Sequence, residues 1–214
     1  LLKDMLLLRC VCILLGLPPL SAAKELKFEV EEIHRNLAEA CAVGDLDQDG
    51  DLDIVSGEYY YLNPQWNPVS FRELGGFGKD YLQDNGDHLF DVDGDEWLDI
   101  VSGQFTQSEV LWFRNPGEWP ITGDRDWVRQ TLVDTDSKKN EISFLRDMDG
   151  DGDLDYIANS WVDREPMKAF LYARDGQKPR MQSHIIFPQG NGHGQGFGDI
   201  NGDGFEDIVY KYGW

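Results

Sequence analysis

The sequence predicts an all-β chain, a β-propeller of four-stranded blades, and three observations carry that expectation. The first is an acidic nonapeptide that occurs four times: DLDQDGDLD from Asp45, DVDGDEWLD from Asp91, DMDGDGDLD from Asp147 and DINGDGFED from Asp199. The second is its spacing, 46, 56 and 52 residues between successive starts, which is the period of repeats with several strands per unit. The third is the run that closes each copy and continues past it: Asp53-Ile-Val-Ser-Gly, Asp99-Ile-Val-Ser-Gly, Asp155-Tyr-Ile-Ala-Asn and Asp207-Ile-Val-Tyr. These short β-branched or aromatic runs suit buried strands, so each nonapeptide reads as the turn between two adjacent strands.

The loops have the chemistry of a cation site. Asp or Asn stands at positions 1, 3 and 5 of every copy, and Asp at position 9. Oxygens on alternate residues of a tight turn suit a hard ion, since Ca²⁺ takes about six to eight oxygen ligands at roughly 2.3–2.6 Å. Side chains at positions 1, 3, 5 and 9 with the carbonyl at position 7 give four ligand sets. They are Asp45, Asp47, Asp49, Asp51 and Asp53; Asp91, Asp93, Asp95, Trp97 and Asp99; Asp147, Asp149, Asp151, Asp153 and Asp155; and Asp199, Asn201, Asp203, Phe205 and Asp207. Up to four Ca²⁺ ions are expected. A helix–loop–helix calcium hand is excluded, because it needs a bidentate Glu at position 12, where this chain has Ser56, Ser102, Ala158 and Tyr210. Loops one and three, the richest in carboxylates, are expected to bind tightest. Loop two has Glu96 where a glycine makes the turn, and loop four is one charge poorer at Asn201.

Four strands can be read in each complete unit. In the second they fall at residues 88–91, 100–102, 109–114 and 127–133, and comparable runs occur at 59–62 and 69–74 and at 169–172 and 182–187. The blades expected are 38–81, 85–133, 140–187 and an incomplete 192–214 within a domain spanning 24–214. Residues 26–34 read as an outer strand without a blade of its own. These strands amount to about half of a seven-bladed propeller; a chain that ended at Trp214 would have to close by self-association. The D-x-D-x-D-G-x-x-D loop followed by Asp-Ile-Val resembles the calcium repeat of FG-GAP/VCBS β-propeller proteins, the integrin α N-terminal type. Phe197-Gly198 looks like the FG half of that name, and Leu111-Trp-Phe-Arg-Asn-Pro is similar to the large secreted bacterial VCBS proteins. The resemblance covers residues 26–214 and implies a calcium-stabilised extracellular propeller.

Composition points the same way. There are 40 acidic and 19 basic residues, a formal charge of −21; 19 of the acidic residues lie in the nonapeptides, and four Ca²⁺ would bring the charge to −13. Such a chain lacks the basic patches that nucleic acid requires and the polybasic segment that anionic membranes attract. Residues 1–23 read as a signal peptide. Lys3 and Arg9 precede an apolar run at 10–17, too short for a membrane span, and Ser21-Ala22-Ala23 offers a cut before Lys24. The chain is therefore expected to be secreted, extracellular or periplasmic, with no membrane span after cleavage. Cys41 is then the sole thiol, expected to be buried and inert.

No catalytic motif stands out: there is no G-x-S-x-G, H-E-x-x-H or C-x-x-C. His88 and His193 precede first strands and are placed to face a central channel, whereas His34 and His184 fall in outer strands. The strand tryptophans are expected to pack between blades, while Trp66 and Trp119 sit beside prolines in loops. Two function classes remain, a non-catalytic binding or adhesion module for a glycan or protein, and the propeller part of a secreted carbohydrate-active enzyme such as a polysaccharide lyase or sugar dehydratase.

Overall fold

Among the described residues every regular element is a strand, and the strands fall into short antiparallel meanders. The computed structural model describes residues 27–117 and 127–214, so the expected signal peptide and Trp119 lie outside the described residues. The first sheet comprises β1 (Ala42–Gly44), β2 (Asp53–Ser56), β3 (Tyr59–Tyr61) and β4 (Pro68–Ser70). A small hairpin comes next, β5 (Gly76–Phe77) and β6 (Tyr81–Leu82). The second sheet holds β7 (Gly86–Phe90), β8 (Asp99–Gly103), β9 (Glu109–Arg114) and β10 (Val128–Asp134). The third holds β11 (Asn140–Arg146), β12 (Asp155–Ser160), β13 (Met167–Asp175) and β14 (Lys178–Phe187), and β15 (Gly196–Gly198) pairs with β16 (Asp207–Val209). In each four-stranded sheet the spatial order is the chain order. Each acidic nonapeptide therefore bridges the first and second strands of its sheet.

The pleat decides how the sheets pack. Along β8 and β9 successive side chains point to opposite faces. Ile100, Leu111 and Phe113 join Leu46, Val55, Tyr60, Phe71 and Trp127 in one cluster against the first sheet. Val101, Val110 and Trp112 face the other way and join Val92, Tyr156, Ala158, Phe170 and Tyr172 against the third sheet. The second sheet is thus apolar on both faces and lies between its two neighbours. Trp112 and Trp127 both serve this packing, at 4% and 3% exposure.

Two expectations need correction. Residues 27–34 form no strand. The chain divides into Leu1–Glu32 and Ile33–Trp214; of the first unit, residues 27–32 are exposed and without regular structure. His34 is exposed, and its Nδ1 meets the Tyr61 hydroxyl at 2.8 Å while the ring lies edge-on to Tyr59. Cys41 is exposed rather than buried, since it precedes β1 and the pleat turns it outward.

Candidate metal centres

The four loops share one hydrogen-bonded frame. The position-9 carboxylate is its anchor. Its Oδ2 accepts the N–H of position 2: Leu46 to Asp53, Val92 to Asp99, Met148 to Asp155 and Ile200 to Asp207, at 2.8–3.0 Å. Its Oδ1 accepts an N–H from within the third strand or just beyond it, from Asn63 in the first unit, Asn115 in the second and Tyr172 in the third. Position 9 thereby ties the loop to two strands at once. The position-1 carboxylate caps the turn, accepting from Gly50, from Glu96, from Gly152 and from Gly204 at position 6. The backbone is left-handed at both positions 4 and 6 of every loop: Gln48 and Gly50, Gly94 and Glu96, Gly150 and Gly152, Gly202 and Gly204. Glycine tolerates that conformation; Gln48 and Glu96 adopt it with φ of 60° and 73°.

This frame draws three carboxylates together in each of three loops. Oxygens of Asp45, Asp47 and Asp53, of Asp91, Asp93 and Asp99, and of Asp147, Asp149 and Asp155 lie within 4.8 Å of one another. These are positions 1, 3 and 9. In loop four Asn201 takes the second place and leaves Asp199 and Asp207. The position-5 residues Asp49, Asp95, Asp151 and Asp203 stand outside the clusters. Each turns Oδ1 to the N–H of position 7, that of Asp51, Trp97, Asp153 and Phe205.

The donor set fits a hard cation on two counts. Three converging carboxylates, partly buried, repel one another without a positive partner. Burial pushes the Asp99 carboxyl up to about 7 against the pull of its N–H donors, and it raises Asp53 and Asp155 for the same reason. In addition, Asp45 Oδ1 and Asp93 Oδ1 are buried without a hydrogen-bond partner among the described residues, and a buried acceptor left that way is costly.

The histidines divide. His88 sits where β1, β7 and β11 come together, in a recess of about 290 Å³ that also includes Cys41, Asp87 and Arg146. Its Nε2 meets Ser143 Oγ at 3.0 Å, and burial lowers the imidazole to about 4, so it is neutral near pH 7. Ser143 has no signal in the sequence as a partner; at 6% exposure its hydroxyl is shut from solvent, and the pair braces β7 against β11. His193 is exposed and lies 3.1 Å from Glu141, and His184 is exposed on β14.

The repeated loop-and-strand unit has a counterpart among known families. Residues 147–210 match the FG-GAP-like repeat. That segment holds loops three and four, strands β12 to β14 and the β15–β16 pair around loop four. None of the curated proteins matches the chain. Among solved structures, one described as the basis of specific recognition of non-reducing terminal N-acetylglucosamine by an Agrocybe aegerita lectin is similar. Its TM-score is 0.49 and its identity 22%, over 78% of this chain and 45% of that one. The chain therefore spans less than half the length of that lectin.

Proposed function

We propose that the chain is the calcium-stabilised β-propeller part of a secreted protein and that it serves as a non-catalytic module binding a glycan. The observation that carries the calcium half is the convergence of the carboxylates at positions 1, 3 and 9 in three successive loops. Side chains of Asp45, Asp47 and Asp53, and of Asp147, Asp149 and Asp155 in loop three, would hold the ion. It would supply positive charge where the turn gathers negative charge and would close the first two strands of each blade together.

Calcium should then act as a folding ligand. At free Ca²⁺ a hundredfold above Kd, each filled loop adds about 2.7 kcal/mol, or roughly 5–10 °C in Tm for a chain of this size. Melting followed by circular dichroism with Ca²⁺ and with excess chelator measures this. Identical melts in the two conditions would overturn the calcium reading.

The glycan half rests on the cleft between the first and second sheets. It encloses about 470 Å³ over Phe71, Phe113 and Trp127, with Glu73, Gln104 and Arg129 among its polar walls. The aromatic floor is closed by core packing, so the polar rim is what would hydrogen-bond the hydroxyls of a sugar. The calcium-loaded protein should be retained on a glycan array, and Arg129→Ala with Glu73→Ala should weaken retention at least tenfold. Retention by no carbohydrate would leave this half without support and point to a protein ligand.

A further inference from the structure

We propose that loop two is a metal site closed by a cation of the chain's own: the guanidinium of Arg114 takes the place that Ca²⁺ takes in the other loops. The proposal rests on reading the loops as calcium sites. It begins with an equivalence. The residues that donate N–H to the position-9 carboxylate are Asn63, Asn115 and Tyr172. The residues just before them are Leu62, Arg114 and Leu171. Two of the three units have an aliphatic residue at this place, and the second unit has a permanent positive charge there.

The charge is used. Arg114 Nε lies 2.5 Å from Asp93 Oδ2, and Nη2 lies 2.9 Å from Asp95 Oδ2. One guanidinium thus meets positions 3 and 5, donating a hydrogen bond from Nη2 to Asp95 and lying against Asp93 as an ion pair. Position 3 is altered to suit. In loops one, three and four its side-chain Oδ1 accepts the N–H of position 5, from Asp49, Asp151 and Asp203, at 3.2, 3.3 and 2.8 Å. In loop four the Asp203 N–H also reaches Asp199 at 3.1 Å, but in loop two the Asp95 N–H goes to Asp91 at 3.1 Å without a bond to position 3, and Asp93 is turned to the arginine. A second guanidinium approaches from the third sheet: a Cβ added at Gly94 would strike Arg174.

A divalent ion entering this loop would meet one positive group held on Asp93 and Asp95 and another close by, and repulsion at such separations is strong in a partly desolvated site. Asp93, whose side chain is 3% exposed, nevertheless keeps Oδ1 buried and unpartnered. That oxygen, with Asp91 and Asp99, is the ligand set that withdrawal of the guanidinium would open.

Counting calcium by equilibrium dialysis tests this, on the wild type, on Arg114→Leu, which installs the residue found in the equivalent places, and on Asp91→Asn. The expected result is that R114L binds one more equivalent than the wild type, while D91N binds the same number as the wild type. In chelator, R114L should melt below the wild type, and calcium should reverse the difference. A D91N chain one equivalent short of the wild type would overturn the proposal without any need of R114L. So would an R114L chain with the wild-type count. If neither the wild type nor R114L takes up calcium, the reading of all four loops fails with it; a wild type that binds while R114L gains nothing fails this inference alone.

Discussion

Arg72 leaves the end of the first sheet and turns inward at 7% exposure, donating from Nε to the Gly57 carbonyl and from Nη2 to both oxygens of Asp87 at 2.8 Å. Asp84, fully buried, stands 3.5 Å from the same nitrogen. Two buried carboxylates share one guanidinium, so one negative charge is uncompensated, and a proton settles it. Burial first, then the Asp87 charge, drives the Asp84 carboxyl up to about 8. The unfolded chain releases that proton near the ordinary value of about 3.9. Between these limits the folded protein holds a proton that the unfolded chain does not. The stabilisation is therefore complete below about pH 4 and is lost as pH rises toward about 8, at up to about 1.4 kcal/mol per pH unit. Asp84→Asn keeps the shape and cannot ionise. Its unfolding free energy in urea should lose this slope and exceed the wild type's at the alkaline end; parallel profiles would show that Asp84 carries no such proton. Arg72→Met, which strands both carboxylates, should cost about 3–5 kcal/mol.

A loop can be read from sequence when all its working parts are local, and these loops meet that condition. Positions 1, 3 and 9 lie within nine residues, and their alternation is visible by eye. The left-handed backbone at position 4 is harder to see, because Gln48 fills it in the first loop where the other three have glycine. Arg114 is invisible as a loop component, since it lies 19 residues beyond Asp95 and only the shared bond to position 9 aligns it with Leu62 and Leu171. The β5–β6 hairpin escapes for a different reason: two-residue strands carry no periodicity. Gly94 and Gly150 separate the two demands made on position 4. Both have positive φ, 75° and 80°, so alanine at either should cost roughly 1–2 kcal/mol in backbone strain. A Cβ at Gly150 meets open space, whereas at Gly94 it strikes the Arg174 guanidinium. Gly94→Ala should therefore lower the denaturation midpoint further than Gly150→Ala. Equal shifts would mean that Arg174 yields freely and is no fixed part of loop two.

Across the molecule, the sequence reveals that β8 and β9 are apolar on both faces but not which sheets cover them. The residue that fastens each sheet to the next is likewise plain only in three dimensions. Asn115 gives its N–H to Asp99 of its own loop and its Nδ2 to the Leu46 carbonyl of the loop before, at 3.0 Å. Tyr172 repeats the arrangement one sheet later, giving its N–H to Asp155 and its hydroxyl to the Val92 carbonyl at 2.6 Å. An amide and a phenol thus perform the same task at equivalent places, and each binds position 2 of the preceding loop to position 9 of its own. Position 2 is fully buried in both cases, at Leu46 and Val92, so its carbonyl has no water to fall back on. Tyr172→Phe removes one hydroxyl and leaves the ring in the cluster between the second and third sheets. The loss should cost about 1–3 kcal/mol, the penalty of an unsatisfied buried acceptor. It should appear as a lower urea midpoint with an unchanged m-value, because the same surface is still buried. A wild-type midpoint would mean that apolar packing alone joins the two sheets and that the loops are energetically separate. A lower m-value would mean that the third sheet unfolds on its own once the clasp is gone, and that the clasp is what makes neighbouring sheets melt together.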